Sequence, residues 1–204
     1  MTSSVVGHAG GGDMTDARDD WKPVARRLWV WPVAVLVSFP IGGFLADLVV
    51  DGVDSVGAAL VGGFITGVII GAAEWFALRR LVSWLWIAAT SIGMTAGLTA
   101  GAAAVDYGIG RGDLLLMGAV TGIGVGVLQA LVLARHRVSG AFWWAVTNPV
   151  AWALGWLVTS YVITKNVEER FTNFGASGAL LFAVLTGLLL AWLVRRIEPE
   201  PNAR

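Results

Sequence analysis

Six apolar runs of about 20 residues each, separated by short polar connections, constrain this chain more than any other feature. They cover 28–50, 56–78, 84–105, 114–134, 142–163 and 176–194. About 20 apolar residues is the length at which an α-helix crosses the hydrocarbon of a bilayer. A helix also satisfies its own backbone hydrogen bonds, which a lipid-facing segment must do. The expected fold is therefore all-α, a bundle of six transmembrane helices over 28–194 in which consecutive helices pack antiparallel. Composition agrees: 14% of residues are charged and mean hydropathy is +0.73, where soluble domains carry about 25% charged residues. The charges are gathered between the runs and at the ends.

Lysine and arginine set the expected sidedness, because basic loops stay cytoplasmic. Of the 14 in the chain, only Arg111, Lys165 and Arg170 fall on one side, beside Asp51, Asp54, Asp106, Asp113, Glu168 and Glu169. The other side holds the leading segment and the basic loops with Arg79, Arg80, Arg135, Arg137, Arg195 and Arg196. This predicts a multi-pass protein of the plasma (inner) membrane with both termini in the cytoplasm. Segment 1–27 is glycine-rich and carries Asp13, Asp16, Asp19 and Asp20. It reads as a disordered cytoplasmic tail and, having no apolar run after a basic start, not as a signal peptide. Segment 195–204 reads as a short cytoplasmic tail. Trp29, Trp31, Trp75, Trp84, Trp86, Trp143, Trp144 and Trp192 fall near the basic ends of the runs. They are expected to form a belt at the headgroup layer, where an indole N–H stays wet.

Small residues recur with a period of four. Gly63, Gly67 and Gly71 precede Glu74, and Gly118, Gly122 and Gly126 precede Gln129 at the same spacing. Thr66 and Thr121 each stand before the central glycine. Trp86-x-Ala88-x-Thr90 in the next run matches Trp143-x-Ala145-x-Thr147. The last run carries a worn third copy, Ala183, Gly187 and Ala191, with Thr186 before the glycine. The chain thus reads as three two-helix repeats in circularly permuted order, the first helix partnering the sixth. Residues four apart share a helix face, and glycine there lets backbones approach closely. Helices two, four and six are expected to form the tightly packed interior, with Gly93, Gly97 and Gly101 adding a stripe on helix three.

The string Gly67-x3-Gly71-x2-Glu74-Trp75-x2-Leu78-Arg79-Arg80, followed by a tryptophan-bearing helix, resembles a group of uncharacterised multi-pass bacterial membrane proteins with repeated motifs of this kind. The second copy departs from it, since Ala130 follows Gln129 and Ala134 stands in place of the first arginine. The resemblance touches most of the hydrophobic chain. It implies a membrane location and no known activity.

Ionisable groups inside a span are the usual pointer to function. Asp47 lies about one turn from the end of its run and is expected to reach the interface. Glu74 lies deeper and shares a face with Gly71, so it should point into the bundle, as should Gln129. Thr90, Ser91, Thr147 and Asn148 enter to similar depth, and Pro149 removes a backbone donor beside them. Together these six polar residues predict a polar layer in the cytoplasmic third, read either as interhelical hydrogen bonding or as a small-molecule or ion site.

Catalysis is not expected. The histidines are His8 in the tail and His136 in a loop, cysteine is absent, and Lys22 and Lys165 lie outside the runs. That leaves no histidine metal site, haem, thiolate chemistry or retinal Schiff base, so no metal or cofactor is expected. Balanced charge gives no hint of nucleic acid. Two functions remain. One is a non-catalytic interaction or scaffold module binding a partner membrane protein or a second copy through glycine-rich faces. The other is a small permease, channel or substrate-binding transport subunit using the polar layer.

Overall fold

The computed structural model describes residues 28–196. The tail readings for 1–27 and 197–204 fall outside them. Seven helices follow in order among the described residues: α1 Val30–Val50, α2 Val56–Leu78, α3 Leu85–Ala104, α4 Arg111–Arg135, α5 Phe142–Val162, the short α6 Thr164–Glu168, and α7 Ala176–Val194. There is no β-strand among the described residues.

Local chemistry sets the ends. Ser55 caps α2, its hydroxyl accepting the Ala58 N–H at 3.3 Å. Asp51 closes α1 in the left-handed conformation (φ 53°) and Gly52 continues the turn at φ 92°. Helix α4 starts three residues before its apolar run, because Asp113 accepts the Gly110 N–H at 3.1 Å and places an acid in the first turn. Helix α6 was not expected; Lys165 and Glu169 bridge its exposed side at 3.2 Å.

Five helices, α1, α2, α3, α4 and α7, are long and apolar enough to cross a bilayer by length and composition. Their apolar outer surfaces suit a lipid environment. Helix α5 matches them in length at 21 residues but carries Thr147, Asn148, Pro149 and Ser160.

Each long helix packs against its neighbours in sequence, and α7 packs against both α5 and α1. The helices therefore close into a ring. This corrects the expectation that helices two, four and six form the interior. The centre of the ring, toward its basic end, is filled by indoles from α1, α3 and α5. Trp31, Trp86 and Trp144 are fully buried and meet edge to face, with ring centroids 5.7–6.4 Å apart. The reason is the direction of the glycine stripes, which face sideways along the ring. A Cβ added at Gly63, Gly67 or Gly71 would lie 3.1, 2.7 or 3.1 Å from a Cα atom of α3. Cβ atoms added at Gly93, Gly97 and Gly101 would lie 2.7–3.0 Å from Cα atoms of α4, and at Gly118 and Gly122 they would lie 3.1 and 2.6 Å from Cα atoms of α5. A Cβ added at Gly126 would lie 2.6 Å from Asn148 Cβ. Gly187 is different: its added Cβ would meet only Trp31, at an ordinary 3.4 Å.

Candidate functional site

A hydrogen-bonded network crosses the bundle beside the tryptophan triad. Glu74 follows Gly71 by three residues and so continues the face of α2 that meets α3. Its Oε2 accepts the Trp86 N–H at 2.9 Å and the Gln129 amide at 2.8 Å. The Gln129 amide nitrogen also donates to Thr90 Oγ1 at 2.8 Å, and its carbonyl oxygen accepts the Trp144 N–H at 2.8 Å. Thr90 donates to the Trp86 carbonyl at 2.9 Å. All five side chains are buried. The third indole of the triad, Trp31, donates to Thr186 on α7 at 3.1 Å.

Of the six polar residues expected to share a layer, Glu74, Gln129 and Thr90 come together. Ser91 donates to Ile87 of its own helix at 2.8 Å, and Asn148 donates to Trp144 of its own helix at 3.0 Å. The Asn148 Oδ1 is buried without a partner. Thr147 is half-buried and outside the network. Sequence reasoning missed Trp31, Trp86 and Trp144 by placing them in the headgroup belt. They are 0% exposed, whereas Trp29 and Trp84 are 68% and 65% exposed, as a belt residue should be. The pairing of Trp86 with Trp143 is likewise one residue out, because Trp143 is exposed and Trp144 occupies the buried, amide-bonded position. The sequence offers no signal that separates these indoles from belt residues, since an indole suits the headgroup layer and a buried acceptor alike.

Arg79, Arg80, Arg135, Arg137, Arg195 and Arg196 lie exposed at one end of the ring. There His136 Nε2 accepts the Ser83 backbone N–H at 3.1 Å, tying the α2–α3 loop to the α4–α5 loop. At the opposite end Asp47 reaches a surface groove of about 350 Å³ shared with Asp51, Asp54, Glu168, Glu169 and Arg170.

A second buried polar feature has no counterpart in the sequence reading. After α6 the chain turns inward, and Thr172, Asn173 and Phe174 are at most 1% exposed. Thr172 shares a 2.6 Å hydrogen bond with Thr66, which donates to the Gly42 carbonyl, and Asn173 donates to the Phe39 carbonyl at 3.0 Å. Phe39 lies 11 residues before the end of α1 and Thr66 lies 10 residues after the start of α2. At about 1.5 Å per residue these contacts sit roughly 15 Å inside the bundle. Three glycines make the room. Added Cβ atoms at Gly62, Gly43 and Gly155 would lie 2.5, 3.0 and 2.7 Å from Thr172, Asn173 and Phe174 in turn. Phe174 stacks on Phe39 at 4.6 Å and meets Trp152 edge-on at 5.0 Å. The indole N–H groups of Trp152 and Trp156 are buried there without partners.

No protein-family model, curated protein or solved structure matches this chain. Its chemistry must be judged on its own groups. Among the described residues no three histidine or acidic side chains gather as a metal site. In the network, Gln129 directs its amide nitrogen and carbonyl oxygen to groups of its own chain, and Glu74 Oε2 holds two donors. Such an arrangement fixes four helices, α2, α3, α4 and α5, to one another.

Proposed function

We propose that the chain is a non-catalytic interaction or scaffold module of the plasma (inner) membrane that spans it six times and uses no cofactor. Helix α5 is the sixth span, and the basic end with both termini lies in the cytoplasm. The observation that carries this reading is the closed network on Gln129, whose bonds go to Glu74, Thr90 and Trp144 of the same chain. A group whose hydrogen bonds are spent within its own chain acts as interhelical glue. The glycine faces serve the same end. Gly67, Gly97 and Gly122 are filled by the chain's own backbone, so a partner membrane protein or a second copy engages the basic loops or lipid-facing side chains instead.

The module is built from three permuted two-helix repeats, and its motif resembles one repeated in a group of uncharacterised multi-pass bacterial membrane proteins. Supporting this, Gly67 lies on Ser91 as Gly122 lies on Pro149, and Gly71 lies on Ile87 as Gly126 lies near Ala145. Thr66, Thr121 and Thr186 are all buried. The third unit is degenerate, since Val194 falls where Glu74 and Gln129 stand and Trp31 turns to Thr186 instead.

One observation favours the second reading, a small permease or ligand-binding transport subunit: the non-helical segment in the bundle with two unpartnered indole N–H groups beside it. Irregular backbone at membrane depth is tolerated only where protein buries it or a cavity receives it. Asn148→Cys separates the two. The chain has no cysteine, and a scaffold keeps this position unreactive toward a polar thiol reagent in intact membranes. Rapid labelling, slowed by added solute, would replace the scaffold with the permease.

A further inference from the structure

The basic end, whose loops the proposed function offers to a partner, also holds a cleft to which it assigns no ligand. Arg79, Arg80 and Leu81, just beyond the end of α2, face Val30 at the start of α1 across a groove of about 90 Å³ walled by Phe76 and Leu78. The Arg79 guanidinium lies over the Phe76 ring, 4.3 Å from its centroid, and so is held toward the groove's apolar wall. Both arginines are exposed, and among the described residues no carboxylate lies within ion-pair distance of either. Phe76 is itself 55% exposed on the outside of the ring. The groove therefore joins two guanidiniums, without a carboxylate partner among the described residues, to an apolar surface at the level where two apolar helices end, which is the boundary between hydrocarbon and water.

We infer that this groove is a binding site for an anionic phospholipid of the adjoining leaflet. Its phosphodiester sits between Arg79 and Arg80, and an acyl chain lies along Phe76 and Val30. Guanidinium forks match phosphate oxygens in two-point contacts, and the exposed phenyl ring gives the attached chain a surface that a free anion would not use. Arg135 and Arg137, of equal charge at the same end, supply the internal comparison. General attraction to an anionic surface treats the two pairs alike, whereas a built site does not.

Native mass spectrometry of the full chain, purified in detergent and supplied with defined lipids, tests this. Phosphatidylglycerol is expected to stay bound at one per chain under conditions that strip phosphatidylcholine. R79Q/R80Q should weaken that binding about thirtyfold, near fivefold for each arginine, while R135Q/R137Q leaves it within about twofold. Equal loss in both double variants would overturn the site in favour of diffuse attraction. Undiminished binding in R79Q/R80Q, equal retention of phosphatidylcholine, or displacement of the lipid by millimolar inorganic phosphate would overturn it as well. An unaltered melting profile for R79Q/R80Q excludes misfolding as the cause of a loss, and the outcome is independent of whether the chain is a scaffold or a permease.

Discussion

Gln129 is the side chain on which the network turns, since it holds groups of α2, α3 and α5 together from α4. Gln129→Leu keeps the volume but strands the Trp144 N–H. Leaving a buried polar group unpaired costs about 1–3 kcal/mol, and thermal unfolding in detergent should show a loss of about 2 kcal/mol. Glu74→Gln differs, because an amide oxygen can still accept from Trp86 and Gln129. It should stay within about 0.5 kcal/mol of the parent if the network is structural. A collapse of stability in that variant would mean that the carboxylate itself is required. Glu74 and Gln129 were legible in the sequence because a polar group among apolar residues must turn away from lipid. Trp86 and Trp144 were not, because an indole serves equally well at the headgroup layer or over a buried acceptor. Nothing in the pair Trp143-Trp144 taken alone tells which one turns inward.

Among the helices, the boundaries were readable and the faces were not. Apolar length fixed α2 and α7 to the residue, since lipid demands about 20 apolar residues and polar loops end them. A soluble helix also betrays its inner face by an apolar stripe. In lipid the outside is as apolar as the inside, and only small and polar residues carry that information. The stripes were therefore visible, but the direction they face around the ring was not. Those contacts make a sharp forecast. Gly122→Ala drives a methyl group to 2.6 Å from Pro149 Cα and should cost about 1–3 kcal/mol, the usual penalty of overpacking. Gly57→Ala and Gly112→Ala meet nothing within 4 Å and should be neutral or gain up to about 1 kcal/mol. Equal effects at all three sites would mean that the helices are not held by those approaches. Thr172 to Phe174 left no trace in the sequence, because three residues of mixed polarity have no period and read as a loop.

The ring as a whole has a basic end and an acidic end, and sidedness can be read with single cysteines. Gly57→Cys and Gly112→Cys, exposed at the acidic end, should react with an impermeant maleimide added to intact cells, and Arg80→Cys only after lysis. The reverse pattern would invert the topology, and labelling of Gly57→Cys without Gly112→Cys would break the six-span count. Closure of the ring also orders events in time. Helix α1 leaves the ribosome well before α7, and the Asn173 amide that meets its Phe39 carbonyl is 134 residues further on. At translation rates of about 5–20 residues per second, that interval is roughly 7–27 s. Throughout it the inner face of α1, with Trp31, Gly42 and Gly43, has neither α7 nor the inserted segment to cover it. A chain halted before that segment emerges presents the same uncovered face indefinitely, which gives membrane quality control a simple mark of an unfinished product.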